Sequence, residues 1–152
     1  MKLISACLCG INCKYNGANN SHPCFLELLQ QGELLPVCPE QLGGLPTPRL
    51  ACEILGGSGA EVIQGQAQVI NKAGKDLSAF FIKGAQVSLQ QAQQAGVSEA
   101  ILQSRSPSCG CGKIYDGTFT GKLITGDGVT AALLKMNGIK VWNDEDYKER
   151  VI

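Results

Sequence analysis

The sequence has no Cys-x-x-Cys pair, a single histidine and no net charge, and each shortage removes a class of function. Without Cys-x-x-Cys the usual thioredoxin-like and zinc-ribbon signatures are missing. One histidine excludes a Cys2His2 zinc site. Thirteen basic residues balance thirteen acidic ones, so nothing resembles a nucleic-acid or membrane-surface footprint. No apolar run approaches the roughly 20 residues needed to cross a bilayer. The opening stretch Met1-Lys2-Leu3-Ile4-Ser5 is too short for a signal-peptide core and the chain is polar again by Asn12. A cytoplasmic protein is therefore expected, with neither nucleic acid nor membrane as partner.

What the chain does have is cysteine: eight in 152 residues. Its length suits one domain over residues 1–152, able to bury roughly 68–70% of its unfolded surface without covalent staples. Apolar content of 44% with 17% charged residues is that of a globular protein. In a reducing compartment the thiols are then not structural disulfides. A soft, thiolate-rich site favours zinc, copper(I) or an iron–sulfur cluster.

Along the chain, Leu3–Ala6 reads as a strand. A helix follows, with Ser21 as N-cap, Pro23 in its first turn, Phe25, Leu28 and Leu29 on one face and Gly32 closing it. Leu34–Val37 is the next strand. Pro39–Gly59 holds three of the six prolines and five glycines, so a long ordered loop is expected there. Glu61–Ile70 with the turn residues Asn71–Lys75 suggests a small hairpin or edge strand. A helix is predicted from about Ser78 to Ala95, with Phe81, Ala85, Leu89 and Ala92 on one side. A strand at Ala100–Gln103 precedes the Cys109 loop. A further helix begins near Asp127 as cap, a strand occupies Ile139–Trp142, and a short polar helix spans Asp144–Arg150. The alternation predicts an α/β fold, a mostly parallel, open, Rossmann-like sheet with helices on both faces.

In such a sheet the carboxyl ends of the strands line the ligand crevice. Cys7, Cys38 and Cys109 each follow a strand-like run, so three thiols remote in sequence should converge on one point. Three soft ligands suggest a metal centre, and a missing fourth suggests a reactive one. Glu40, two residues beyond Cys38 and past the φ-fixing Pro39, is placed either as a general base, or as a cap of the following turn or an ion-pair partner of Arg49. Ser106 and Ser108 flank Pro107 beside Cys109, where hydroxyls serve a substrate or simply form a turn. Arg49 more often ties its loop down through Glu40 or Glu53. His22 reads as a capping residue. Tyr15, Asn16 and Tyr115 are candidates for pocket walls or for ordinary packing. Cys24 and Cys52 fit small buried hydrophobes. Cys9, Cys13 and Cys111 lie close enough to be alternative ligands, neighbouring thiols or sulfur carriers.

Several motifs in order, Ser5-Ala6-Cys7-Leu8-Cys9-Gly10, Cys13-Lys14-Tyr15-Asn16-Gly17, Pro36-Val37-Cys38-Pro39-Glu40, Pro46-Thr47-Pro48-Arg49, Arg105-Ser106-Pro107-Ser108-Cys109-Gly110 and Tyr115-Asp116-Gly117-Thr118-Phe119, span nearly the whole chain. Together they resemble the bacterial domain of unknown function 523 family, whose best-understood members are thiouracil desulfidases. Cys9 stands where leucine is common, and Cys111 is additional to the pattern. The resemblance implies a [4Fe-4S] cluster held by Cys7, Cys38 and Cys109, its fourth iron free for substrate, with Glu40 as catalytic carboxylate and Ser106 as assisting hydroxyl. The expected reaction is non-redox desulfuration of a small thiocarbonyl compound such as thiouracil. The rival readings are a sulfur-transfer or storage protein using Cys9 or Cys111, and a zinc-stabilised binding module in which Cys13 or Cys111 completes the ligand set.

Overall fold

Short apolar runs buried on both faces form a parallel sheet, and that sheet sets the position of everything else. The computed structural model describes residues 1–151. The chain runs β1 (Lys2–Ser5), a 3-10 turn (Ala6–Cys9), α1 (Pro23–Gln30), β2 (Leu34–Val37), α2 (Pro39–Leu42), β3 (Cys52–Leu55) and α3 (Gly59–Ile63). It continues through β4 (Gln68–Asn71), α4 (Ser78–Gln94), β5 (Glu99–Leu102), β6 (Lys113–Tyr115), β7 (Leu123–Thr125), α5 (Val129–Met136), β8 (Lys140–Asn143) and α6 (Asp144–Val151). The main sheet has the order β2-β1-β5-β8, with every neighbouring pair parallel.

Side chains alternate across the sheet, so consecutive apolar residues serve opposite cores. Leu3, Ala100 and Leu102 pack with Ala92 of α4 and with Ala131 and Leu134 of α5. Ile4 and Ile101 point the other way, onto Phe25 of α1 and Tyr147 of α6. Helices therefore cover both faces, as the alternation of elements predicts. The connection from β1 runs to β2 on one side, whereas β5 and β8 extend the sheet on the other. The order reverses between β1 and β5, and the loops leaving them diverge. That is the topological switch point where open α/β sheets bind ligands.

A third cluster lies beyond α4 and α5, where Ile54, Val62, Val69, Phe81 and Ile114 pack together. This layer corrects the sequence reading most. The stretch expected to be a loop over 39–59 contains α2 and β3. The partner of β4 is β3, with Cys52 opposite Asn71 and Ile54 opposite Val69, rather than the Asn71–Lys75 turn. Between them α3 is closed by a Ser58–Glu61 capping box. The β6–β7 hairpin was not anticipated. Each of these strands is only three or four residues long, too short for period-2 alternation to stand out in the sequence.

The cap assignments shift slightly. His22, not Ser21, is the N-cap of α1, its Nδ1 accepting the Cys24 N–H at 3.2 Å. Gly128 caps α5, while Asp127 accepts the Gly112 N–H and pairs with Lys135. Gly84 has a structural reason of its own. A Cβ there would collide with the Pro39 carbonyl, so its absence lets α4 press directly against α2. No helix among the described residues is long and apolar enough to cross a membrane.

Candidate active site

Each strand that stops at the switch point delivers a thiol. Cys7 lies in the 3-10 turn directly after β1, and Cys38 is the N-cap of α2 directly after β2. Pro39 takes the first helical position, where a missing N–H costs nothing. Cys109 follows β5 in a loop held by the first turn of α5. The N–H groups of Gly128, Val129 and Thr130 donate to the carbonyls of Gly110, Pro107 and Ser108 at 2.7, 2.8 and 2.8 Å. Gly128 has no Cβ because one would strike the Ser108 carbonyl. The Ser106 Oγ accepts the N–H groups of Ser108 and Cys109 at 3.1 and 3.0 Å, and the Ser108 hydroxyl bonds Thr130 at 2.9 Å.

The three thiols, Glu40, Ser106 and Arg49 all line one cavity of about 420 Å³, within the range of about 300–1,000 Å³ usual for small-molecule sites. Tyr15 and Tyr115 also form its walls, whereas Asn16 does not. Two further thiols belong to it. Cys13 is buried on the cavity wall, and its backbone carbonyl accepts from the Cys38 thiol at 3.7 Å. Cys52, expected to be a simple core residue, is also on the wall. Cys9 is packed in the core below, and the Cys111 thiol points at the Val141 carbonyl at 3.7 Å; neither lines the cavity. Cys24 lies beside His22 at 3.1 Å, at the start of α1 and off the cavity wall.

Glu40 and Arg49 form a largely buried pair at 2.6 Å, with side chains 16% and 7% exposed. This is the ion-pair reading of Glu40, and it does not compete with a catalytic one. Arg49 Nη2 also donates to the Cys13 carbonyl at 3.1 Å, and Nη1 donates to Thr47 Oγ1 and the Pro46 carbonyl. The guanidinium thus fixes the carboxylate, the Cys13 segment and the proline-rich loop relative to one another. Only Oε2 of Glu40 is engaged, which leaves Oε1 without a protein donor among the described residues.

Crowded thiols resist ionisation. Hydrogen bonding to Cys13, together with burial, raises the Cys38 thiol far above its ordinary range. Burial, with Glu40 nearby, pushes Cys109 up to about 12. For Cys13 the bond to Cys38 pulls downward, but the bond to Cys7 and burial outweigh it and push the thiol up to about 11. A bound metal would favour the thiolate forms over the protonated ones. All eight cysteines are free, so no disulfide competes. No group of three or more His, Cys, Asp or Glu among the described residues is spaced to hold a single metal ion. The donor set suits an iron–sulfur cluster in kind: three soft thiols line one cavity, and such a cluster takes one thiolate on each of its irons.

A family model described as 2-thiouracil desulfurase matches residues 3–146. The chain belongs to the 2-thiouracil desulfurase family. An uncharacterized protein of Bacillus subtilis (strain 168), YbbK, is 43% identical over 149 residues, covering 98% of this chain and 99% of its own. A solved structure described as the [4Fe-4S]-dependent thiouracil desulfidase TudS aligns with a TM-score of 0.86 at 37% identity, over 97% of this chain and 93% of that one. The family resemblance read from the motifs is thereby borne out, and so is the α/β fold. In this member of the family, Glu53 and Gln103 are cavity residues that sequence reasoning missed. The sequence offers Glu53 only as a partner for Arg49; in the structure it accepts the N–H groups of Gly117 and Phe119. Gln103 Oε1 accepts from Asn20 Nδ2 at 2.8 Å and lies 3.8 Å from the Cys7 thiol. Its only sequence signal was its place just past β5.

Proposed function

We propose that this protein hydrolyses the C=S bond of a small thiocarbonyl heterocycle such as thiouracil, using a [4Fe-4S] cluster held by Cys7, Cys38 and Cys109. The observation that carries this reading is the meeting of those thiols with Glu40 in one cavity at the sheet's switch point. It is supported by the family and by what TudS is described to be. The balance is simple: water supplies oxygen to the ring carbon, sulfur departs as hydrogen sulfide, and no electrons are exchanged.

When bound, such a cluster supplies an open iron, a soft Lewis acid that prefers a thione sulfur to an oxygen. The chain's own residues do the rest. Arg49 holds Glu40 by one oxygen, so the other takes the proton of an attacking water. Ser106 uses its oxygen to cap the Cys109 loop but keeps its O–H, which is available to donate to the substrate. The fully free thiols fit a reducing, cytoplasmic setting. The partner is a small thiolated molecule; the balanced charge offers nothing to nucleic acid.

The protein purified without oxygen is expected to be brown, to carry iron and acid-labile sulfide, and to release sulfide from 2-thiouracil without added reductant. A colourless protein with stoichiometric zinc would sink this reading. A need for a thiol acceptor would favour sulfur transfer, although Cys9 and Cys111 lie off the cavity wall. Ser106→Ala is expected to lower turnover by about 10²-fold, the scale of losing one positioned donor. Ser106→Thr keeps both acceptor and O–H and should retain most activity in the same assay.

A further inference from the structure

Glu53, on β3, is a carboxylate with an unusual balance of partners. It is only 8% exposed and lines the cavity. Its Oε1 accepts two backbone N–H groups, from Gly117 at 3.0 Å and Phe119 at 3.1 Å. Those bonds occupy that oxygen and fix the 116–121 loop. Among the described residues no lysine, arginine or histidine pairs with the carboxylate. No protein donor reaches Oε2, yet no buried side-chain polar atom of the described residues is sealed without a partner. Oε2 therefore keeps accessible surface, on a residue that lines the cavity. A carboxylate this buried is costly unless its remaining lone pairs also find donors.

We propose that Glu53 is a specificity-determining residue whose Oε2 accepts a hydrogen bond from a ring N–H of the substrate, so that the enzyme selects cyclic thioamides bearing an N–H over N-alkylated ones. The assignment rests on the desulfidase reading and adds to it the feature of the ring that is recognised. Thioamide heterocycles carry an N–H beside the thiocarbonyl, and this acceptor lies in the wall of the same cavity as the thiols. The geometry also fixes what a Glu53→Gln change would do. The Gly117 and Phe119 N–H groups would claim the amide oxygen, which turns the NH2 toward the cavity. A donor would then stand where an acceptor stood, while the loop keeps both of its bonds.

The test compares 2-thiouracil with 1,3-dimethyl-2-thiouracil, which lacks both ring N–H groups, on the cluster-loaded protein. The wild type is expected to prefer 2-thiouracil in kcat/KM by about 10- to 100-fold, the scale of a hydrogen bond to a charged group. Glu53→Gln should lose that factor on 2-thiouracil alone and leave the dimethyl compound unchanged, with iron content and thermal unfolding as in the wild type. Equal wild-type efficiency on the two compounds overturns the assignment. So does an equal loss on both in Glu53→Gln, which would make the residue a loop anchor only. If the variant does not fold, equal wild-type efficiency on the two compounds still overturns the assignment. Sulfide release from neither compound would instead overturn the desulfidase reading, a result distinct from loss of selectivity.

Discussion

Glu40→Gln is expected to reduce sulfide release by about 10²- to 10⁴-fold, the range a positioned general base contributes, while iron and acid-labile sulfide per chain stay at wild-type levels. The substitution is nearly isosteric. A glutamine oxygen still accepts from Arg49 Nη2, which now sits 2.6 Å from the Glu40 Oε2. Arg49 also keeps its bonds to the Cys13 and Pro46 carbonyls and to Thr47. The proline-rich loop should therefore hold its place, and what is lost is the ability to take a proton from water. Single-turnover measurement of sulfide separates this from a change in substrate affinity. Wild-type turnover by Glu40→Gln would remove Glu40 from the chemistry and leave it as an ion-pair partner.

The second large effect concerns the cluster. Cys7→Ala, Cys38→Ala and Cys109→Ala are each expected to lose essentially all iron and all activity. Cys9→Ala and Cys111→Ala, off the cavity wall, should keep both. Cys13→Ala is the most informative variant, because its buried thiol shares the cavity with Cys7 and Cys38. It is expected to retain iron, since the strand-end thiols suffice; loss of iron from Cys13→Ala with retention in one of the other three would redraw the ligand set. Cys109 is buried at 3% exposure, so its removal also leaves a small void. Thermal unfolding of the cluster-free proteins separates that packing loss from loss of the ligand.

The sites of Cys7 and Cys38 were legible because each follows from a local rule, whereas Cys109, seven residues past β5, is brought back by the first turn of α5. An apolar run makes a strand, a proline or glycine-rich segment ends it, and the next residue lies at the strand's carboxyl end. Pro39 does this for Cys38, and the turn after Ser5 does it for Cys7. The long helix Ser78–Gln94 was equally plain from its period and from the glycine after it. β3, β4 and the β6–β7 hairpin were less plain, because strands of three or four residues are too short for their alternation to stand out.

The same division holds within the site. The sequence by itself determined which chemical groups stand at the strand ends, thiols with a carboxylate and a hydroxyl close behind them, because strand ends are set by neighbours in the chain. Only the tertiary structure decided that Arg49 holds Glu40 by one oxygen and that Glu53 gives its oxygen to the Gly117 and Phe119 amides instead of to Arg49. It also decided that Cys13 and Cys52 enter the cavity while Cys9 and Cys111 do not. These choices depend on how loops from separate strands pack over the switch point, where a residue's neighbours are set by the crossing of the chain and no longer by its spacing.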